Sequence, residues 1–360
     1  MKIGVFGGGQ LAQMLALAGI PLGLRFVFFD PTPDGCAATL GQHIQADFDD
    51  WQQLKLFAKS VDLVTFEFEN IPLSAIEFVS KYTRVYPEIN TLNVKQDRLL
   101  EKQLFQRLGI ATPKFIDIQS KNDIHDAAET LGFPFVIKTR FGGYDGKGQW
   151  VLKSEEQIAY TWSQIDGLPC IAEQWINFSR EVSIIAVQNR NNERVFYDLA
   201  ENEHNRGILH TTVNRPSDPM ALEAQKIICK LLEELNYCGA IALELFECNG
   251  QLIANEFAPR VHNSGHWTIE GAATSQFENH LRAILNLPLG STQHKGQYVM
   301  LNFISKIPEL PHALSIPNSH FHNYTKQAKP GRKLGHLTVC ADQHEDIDKL
   351  VFRLKNFFHF

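Results

Sequence analysis

Four glycines and two lysines within a short stretch of the chain suit the binding of a polyphosphate. The stretch begins with a strand-like run at 133–138, continues to a second one at 149–152, and contains Lys138, Gly142, Gly143, Gly146, Lys147 and Gly148. Glycine lets a backbone approach a ligand closely, and backbone N–H groups and lysines both favour anionic oxygens. A Walker loop would need Ser or Thr after its lysine and then a helix, but Gly148 follows Lys147. We therefore predict a hairpin flap over ATP, with a mobile hairpin that binds nothing as the alternative.

Two glutamates on a second predicted hairpin could hold a metal ion. Asn249-Gly250 is a turn signal between alternating strands that carry Glu244 and Glu256. A two-residue loop would pair Cys248 with Gln251 and separate the glutamates, whereas a three-residue loop puts them on one face. We predict the three-residue loop, with the glutamates as diagonal neighbours about 7–8 Å apart at the backbone. Carboxylates so placed favour a cation between them, and Mg²⁺ would share them with phosphate; the alternative is two exposed strand glutamates.

The loop after Glu256 could bind a small oxyanion. Arg260, His262 and Asn263 follow that glutamate closely. Arginine offers a planar fork of donors that matches an oxyanion. We predict an anion pocket beside the metal, with a purely structural loop as the alternative.

A basic turn near the end of the chain could clamp a phosphate monoester. Pro330-Gly331 is surrounded by Lys326, Lys329, Arg332 and Lys333. Charge-assisted hydrogen bonds from such side chains hold phosphate well. A turn that is simply exposed to solvent fits the sequence equally well.

A short extended segment could seat the nucleotide base and ribose. It consists of Glu173, Gln174, Trp175 and Ile176, followed by Glu181. An extended backbone can bond the adenine edge, and a glutamate can accept from ribose hydroxyls. Without the flap it would be an ordinary edge strand, and His204, taken alone, would be a structural histidine.

The N-terminal glycines partly satisfy a dinucleotide fingerprint. Gly7, Gly9 and Ala12 match its Gly-x-Gly-x-x-Ala spacing, and Asp30 lies where a ribose-binding acid would be. A fingerprint of this type is weak on its own, because a glycine loop at a helix N-terminus suits any phosphate.

Alternating strands and helices must position these groups. Apolar runs at 3–6, 25–29 and 61–66, with a helical stripe at 11–18, predict a parallel βαβ sheet. Residues 93–108 predict one polar, basic helix, and antiparallel hairpins begin near residue 169. We predict an α/β fold, α+β in its C-terminal part, with a Rossmann-like parallel-sheet domain (1–92), a small flap domain (93–168) and a mixed-sheet domain (169–360).

Composition excludes several classes of protein. The 360 residues carry a net charge of −6, which gives no basic face for nonspecific nucleic-acid binding. No apolar run approaches the roughly 18 residues of a membrane span. The six cysteines have no metal-ligand spacing and predict free thiols in a reducing compartment. We expect a cytoplasmic protein.

Six segments of the chain resemble the ATP-grasp superfamily and, within it, the 5-(carboxyamino)imidazole ribonucleotide synthases of bacterial purine synthesis. They are GGGQLAQML (7–15), TFEFENIP (65–72), GGYDGKGQW (142–150), INFSREVS (176–183), NEFAPRVHNSGHWT (255–268) and KPGRKLGH (329–336). They span nearly the whole chain, and the third and fifth are very specific. The resemblance implies an ATP-grasp fold, a homodimer and a ligase reaction. In it, ATP and Mg²⁺ convert bicarbonate to carboxyphosphate. Carboxyphosphate, or CO₂ released from it, then carboxylates the amine of 5-aminoimidazole ribonucleotide.

The resemblance also implies a role for each matching residue. The nucleotide site would comprise Arg98, Lys138, Gly143, Tyr144, Asp145, Gly146, Lys147, Gly148, Gln149, Glu173, Gln174, Trp175, Ile176, Glu181, His204, Asn255 and Glu256. The metal ligands would be Glu244 and Glu256. The catalytic bicarbonate pocket would contain Arg260, His262 and Asn263, with Asp145 orienting or deprotonating the amine. The ribonucleotide site would comprise Gln10, Glu69, Tyr144, Lys326, Arg332 and Lys333.

One position departs from the superfamily, and three other functions compete. Many ATP-grasp enzymes carry asparagine two residues after the second metal glutamate, where Ala258 stands. Asn255 or an extra water would then complete the metal's ligands. The alternatives are a formate-dependent glycinamide ribonucleotide transformylase, a nicotinamide-dependent oxidoreductase using Gly7–Gly9 and Asp30, and a nucleotide sensor without chemistry.

Overall fold

The computed structural model describes residues 1–143, 146–165, 167–342 and 345–359, and its N-terminal part contains a parallel sheet. The sheet comprises β1 (Lys2–Phe6), β2 (Arg25–Phe29), β3 (Gln42–Ile44), β4 (Leu63–Phe66) and β5 (Arg84–Val85), and its helices are α1 (Gln10–Gly19), α2 (Trp51–Ser60) and α3 (Leu73–Ser80). The strand order β3-β2-β1-β4-β5 reverses beside β1. A crevice opens at the carboxyl ends of the strands where such a reversal occurs. The loops after β1 and β4 therefore meet there, as the βαβ prediction requires.

The segment predicted as one helix over 93–108 forms two helices, so that prediction is wrong. They are α4 (Ile89–Gln96) and α5 (Arg98–Arg107), and Asp97 between them has an extended backbone. The Asp97 carboxylate accepts a hydrogen bond from the Leu99 N–H at 2.9 Å and pairs with Arg140 at 2.5 Å. An N-capping side chain begins a new helix and competes with continuation of the old one.

A small antiparallel sheet carries the glycine-rich hairpin. It consists of β6 (Phe115–Ile118), β7 (Phe135–Thr139), β8 (Gln149–Leu152) and β9 (Cys170–Gln174), in the order β6-β9-β7-β8, with helices α6 (Lys121–Leu131) and α7 (Gln157–Ile165). Buried apolar side chains such as Ile118, Phe135 and Ile165 form its core. Strand β9 lies past residue 168, where we predicted the domain to end; the domain limits themselves stay a prediction.

A large sheet forms the rest of the molecule. Within the described ranges its strands are β10 (Arg180–Gln188), β11 (Arg194–Phe196), β12 (Leu199–Asn205), β13 (Ile208–Arg215), β14 (Gly239–Cys248), β15 (Gln251–Ala258), β16 (Tyr298–Ile304), β17 (Ser319–Asn323) and β18 (Lys333–Cys340). Its helices are α8 (Ala221–Glu234), α9 (Thr268–Gly271), α10 (Gln276–Ile284), α11 (Leu310–Ala313) and α12 (Ile347–Phe358). We expected a mixed sheet, but these strands pair antiparallel. Antiparallel neighbours can be joined by short hairpins, as several of these strands are.

Strand β15 lies at one edge of this sheet and is covered by an earlier segment of the chain. The Ala254 N–H donates to the Ala111 carbonyl at 2.7 Å, and the Thr112 hydroxyl donates to the Ala254 carbonyl at 3.0 Å. The Phe257 N–H donates to Glu101 at 2.8 Å. Residues 101–112 thus satisfy backbone groups that an edge strand would leave open.

Two expectations drawn from composition can be compared with the structure. All six cysteines are free, as predicted. Among the described helices, none combines the length and the apolar character that crossing a membrane requires.

Candidate active site

The predicted flap is a hairpin whose base is held by Arg98. Strands β7 and β8 pair antiparallel, with Lys138 opposite Gln149. The Arg98 guanidinium donates to the carbonyls of Thr139 and Gly143, both at 3.0 Å. Gly146, Lys147 and Gly148 turn back into β8. The predicted roles of Tyr144 and Asp145 fall outside the described residues.

The returning side of the hairpin lies against the large sheet. A Cβ placed on Gly146 would lie 2.7 Å from the Arg206 carbonyl oxygen, in the turn between β12 and β13. Gly146 also has a left-handed backbone (φ 76°), which favours glycine. This hairpin therefore bridges the small and the large sheets.

Lys138 belongs to a buried chain of charges that also contains Glu173 and Lys102. The Glu173 carboxylate lies 3.0 Å from the Lys138 ammonium and 3.2 Å from that of Lys102. Burial opposes ionisation of Glu173, but the two lysines outweigh it and lower its pKa to about 2. The Glu173 carboxylate is thus paired with two lysines.

The other predicted nucleotide residues lie around a narrow cleft. Glu181, His204, Glu244 and Asn255 line it. The His204 Nδ1 lies 2.6 Å from the Glu181 carboxylate. Burial alone would lower the pKa of His204, but Glu181 and Glu244 raise it overall. Gln174 ends β9, and beyond it Trp175 is exposed and Ile176 is half-buried.

The carboxylate hairpin has the two-residue loop that we did not predict. Cys248 pairs with Gln251, and Asn249 and Gly250 both have positive φ, as in a type I′ turn. The glutamates nevertheless meet, because the register shifts at Asn255 and places Glu244 directly opposite Glu256. The predicted loop and the predicted diagonal spacing are therefore wrong, whereas the two glutamates are neighbours.

Each of these carboxylates already has one cationic or polar neighbour. The Lys95 ammonium lies 2.8 Å from Glu256 Oε2, and the His262 Nε2 lies 3.1 Å from Glu244 Oε1. Although burial opposes ionisation, Lys95 lowers the pKa of Glu256 and His262 lowers that of Glu244. Both carboxylates therefore stay ionised at neutral pH, as metal ligands must.

The donor set fits a hard divalent cation that completes its shell with phosphate. Oxygen donors suit Mg²⁺, which needs only one or two carboxylates when phosphates supply other ligands. The described residues contain no group of three or more His, Cys, Asp or Glu side chains suited to holding a metal alone. Ala258 is buried opposite Ala242, whereas Asn255 lines the cleft beside Glu244.

In the predicted anion pocket, Arg260 and Asn263 are each hydrogen-bonded to a residue from another part of the chain. Arg260 donates from Nε to Glu69 Oε2 at 2.5 Å and from Nη2 to Glu69 Oε1 at 2.9 Å. Burial opposes ionisation of Glu69, but Arg260 outweighs it and lowers the pKa of Glu69 to about 2. Asn263 exchanges amide hydrogen bonds with Asn302, at 3.0 and 2.8 Å. We predicted Glu69 as a ribonucleotide residue; the structure places it on Arg260.

The predicted ribonucleotide residues Gln10 and Lys326 are in direct contact. The Lys326 ammonium donates to the Gln10 side-chain oxygen. Burial lowers the pKa of Lys326, and Arg332 and Lys333 lower it further as like charges. Arg332 donates to the Gln327 carbonyl at 3.2 Å. In the turn that we regarded as equally a solvated surface, Lys326 therefore reaches the first residue of α1.

The glycine loop before α1 is occupied by the protein's own carboxylates. The Gly8 N–H donates to Asp30 at 2.7 Å, and Glu67 accepts from the Gly9 N–H and, at 2.9 Å, from the Ala12 N–H. A Cβ on Gly9 would lie 2.6 Å from Glu67 Oε1. The N–H groups that a dinucleotide pyrophosphate would need are therefore taken, and the fingerprint interpretation is wrong.

Sequence analysis missed several buried charged residues of this region. Lys95, Glu101 and Lys102 are each less than a tenth exposed. The only signal was their place in the segment 93–108, which we predicted as one polar, basic helix. Glu67 was quoted in a matching segment, but we gave it no role.

The fold and the site together define an ATP-grasp protein. Residues 103–277 match the family model of the ATP-grasp domain. Residues 1–96 match the ribonucleotide synthetase preATP-grasp domain, and residues 298–350 match the phosphoribosylaminoimidazole carboxylase C-terminal domain. The predicted superfamily is therefore confirmed.

Relatives of known name narrow the class to one family. The N5-carboxyaminoimidazole ribonucleotide synthase of Pseudomonas aeruginosa is 50% identical over 344 residues, which cover 95% of this chain and 96% of that protein. The chain belongs to the N5-carboxyaminoimidazole ribonucleotide synthase family, as the resemblance implied.

Solved structures agree with this placement. The N5-carboxyaminoimidazole ribonucleotide synthetase of Thermus thermophilus is 42% identical, with a TM-score of 0.93 over 99% of this chain and 98% of that chain. The synthase of Aspergillus clavatus, in complex with ADP and 5-aminoimidazole ribonucleotide, is 29% identical, with a TM-score of 0.90 over 99% and 97%.

Proposed function

We propose that this protein is an ADP-forming ligase that carboxylates 5-aminoimidazole ribonucleotide with ATP and bicarbonate, in purine biosynthesis. One observation carries the proposal: Glu244 and Glu256 lie opposite each other, directly before a loop that presents Arg260 and His262. That arrangement puts metal ligands and anion donors side by side. Membership of the synthase family supports the same reaction.

The nucleotide half of the site would lie between the flap and the cleft. Arg98, Lys138 and the backbone of 143 and 146–149 would surround the phosphates, and the segment from Glu173 to Ile176 would face the base. Glu181, held by His204, would accept from the ribose. A Mg²⁺ ion held by Glu244 and Glu256, with Asn255 nearby, would neutralise charge on the transferred phosphoryl group.

The bicarbonate half would use the loop after β15. Arg260 has donors left beyond those that reach Glu69, because its guanidinium carries several N–H groups in a fork. His262 and Asn263 would complete the pocket, with His262 oriented by Ser264, whose hydroxyl lies 2.9 Å from Nδ1. A bicarbonate oxygen attacks the terminal phosphorus of ATP, which releases ADP and leaves carboxyphosphate.

The acceptor would bind across the crevice of the N-terminal sheet. Gln10, Lys326, Arg332 and Lys333 would hold its phosphate, with Glu69 and Tyr144 close by. The exocyclic amine then forms the new C–N bond as phosphate leaves, and Asp145 would take the amine proton. Because carboxyphosphate hydrolyses readily, the flap would exclude water.

Two further properties belong to the proposal. The six free cysteines are consistent with the reducing cytoplasm. A homodimer stays a prediction that rests on the family resemblance.

The test is ADP release from Mg-ATP and bicarbonate, measured with and without 5-aminoimidazole ribonucleotide. We expect strong stimulation by the ribonucleotide and one ADP per carbamate formed. Turnover that ignores the ribonucleotide would overturn the acceptor, and glycinamide ribonucleotide with formate would be tested next. Binding of ATP without turnover would overturn the enzyme assignment in favour of a nucleotide sensor.

A further inference from the structure

Lys95 is a buried lysine that contacts one of the two proposed metal ligands. It lies in the last turn of α4, and its side chain is 8% exposed. Its ammonium is 2.8 Å from Glu256 Oε2 and 3.1 Å from Glu101 Oε1. Lysine is almost never buried so deeply unless it is paired. A cation of the protein therefore already occupies part of the carboxylate that a metal would use.

Glu101 fixes this lysine in place from the other side. Glu101 is 1% exposed, and its Oε1 also accepts from the Phe257 N–H at 2.8 Å. Phe257 directly follows Glu256 on β15, and the Lys95 ammonium lies 5.7 Å from the centre of its ring. Lys95 and Glu101 thus attach α4 and α5 to β15 at Glu256, the proposed metal ligand. The position of Lys95 is set by three contacts rather than by a flexible surface pairing.

We propose that Lys95 is a positioning residue that makes the metal site depend on the nucleotide. Its ammonium holds Oε2 of Glu256, leaves Oε1 for a metal, and repels a divalent cation that approaches without a nucleotide. The metal then enters with the phosphates of ATP, whose negative charge offsets the lysine. This inference rests on the proposed ATP and metal site, but not on the identity of the carboxylated acceptor.

The physical reason is the short distance between two like charges in a half-buried site. A metal on Oε1 and an ammonium on Oε2 of one carboxylate are neighbours, and their repulsion is weakly screened away from bulk water. We expect the repulsion to reduce the affinity for a free divalent ion about tenfold or more. A purely structural ion pair would affect stability without changing metal affinity.

The test is Mn²⁺ binding to the nucleotide-free protein, followed by electron paramagnetic resonance. Mn²⁺ accepts the same oxygen ligands as Mg²⁺. The variant is Lys95→Met combined with Glu101→Gln, because Lys95→Met alone would leave Glu101 buried without its cation. We expect the double variant to bind Mn²⁺ at least about tenfold more tightly than wild type. Equal affinities would overturn the proposal.

Two matched variants locate the effect. Glu101→Gln alone keeps Lys95, so its Mn²⁺ affinity should be no higher than that of wild type; affinity as high as in the double variant would contradict the role of Lys95. Adding Glu256→Gln to the double variant should abolish the gain, and a gain that persists would place the metal elsewhere. Thermal denaturation of each variant checks that it is folded. Because these readouts need neither bicarbonate nor ribonucleotide, a wrong acceptor would leave them unchanged.

Discussion

Arg260 and Glu69 form a bidentate ion pair, although they are 191 positions apart in the sequence. Glu69 follows the last residues of β4 in the parallel sheet, whereas Arg260 follows β15 in the large antiparallel sheet. Because Arg260 keeps the pKa of Glu69 near 2, this pair is ionised at every pH at which the protein is expected to work. The loop after β4 of the N-terminal sheet therefore orients an arginine that follows a strand of the large sheet.

Substitution Glu69→Gln should impair the use of bicarbonate. Loss of one charge-assisted bond of this type costs about 1.5–3 kcal/mol, which corresponds to about 10- to 150-fold in kcat/KM for bicarbonate. The KM for ATP should change little. Steady-state ADP release with bicarbonate varied measures the effect, and Glu77→Gln on the exposed face of α3 is the control. Unchanged kcat/KM would mean that Arg260 is held adequately without Glu69.

Substitution Glu256→Ala should abolish ATP turnover. It removes one of two carboxylates proposed to hold the metal, and metal stabilisation of a phosphoryl transfer is worth several kcal/mol, so we expect at least about a 100-fold loss of kcat. ADP release measures it. Gln251→Ala, an exposed change on the same strand, should be close to wild type. Full activity of the glutamate variant would remove Glu256 from the metal site.

Substitution Arg332→Ala should raise the KM for the ribonucleotide and leave ATP binding alone. A charge-assisted contact to phosphate contributes about 1.5–3 kcal/mol, so the increase should be about 10- to 150-fold. The neighbouring exposed Lys329→Ala is the comparison. If both variants have the wild-type KM, the basic turn is a solvated surface.

Stability at low pH should depend on Glu173. Its pKa falls from an ordinary value of 4.5 to about 2 on folding. A carboxyl with a depressed pKa stabilises the folded state above its unfolded pKa and loses that contribution as the pH falls towards the folded pKa. The shift corresponds to about 3 kcal/mol.

Substitution Glu173→Gln should therefore lower the urea midpoint strongly at pH 7. The difference from wild type should narrow as the pH falls from about 4.5 towards 2. Urea denaturation at a series of pH values measures it, with Glu129→Gln on α6 as the control. A difference that does not vary with pH would assign the stability to packing rather than to charge.

The sequence was most informative where one local signal dominates. The strand Gln149–Leu152 has the predicted bounds, because the glycines before it mark its start clearly. The Asn249-Gly250 turn was recognised, but we predicted three residues for its loop and the structure has two. The strand alternation alone does not specify a bulge at Asn255, which depends on how β14 and β15 pack against the rest of the sheet.

Buried charges were the least predictable part. Lys95 and Lys102 occupy helical positions that usually face water, and only tertiary contacts with Glu256 and Glu173 explain their burial. Glu173 is more than 70 residues from Lys102 along the chain, and Glu256 is still further from Lys95. A single sequence gives no local signal for such pairs.

The covered edge of β15 also bears on aggregation. An open edge of a sheet is a template on which a strand from another molecule can add. Here residues 101–112 close that edge with hydrogen bonds at Ala254 and Phe257. A partly folded chain in which this segment has detached would expose the strand that carries Glu256. Docking of α5 and the following loop therefore protects the chain from intermolecular pairing while it completes the site.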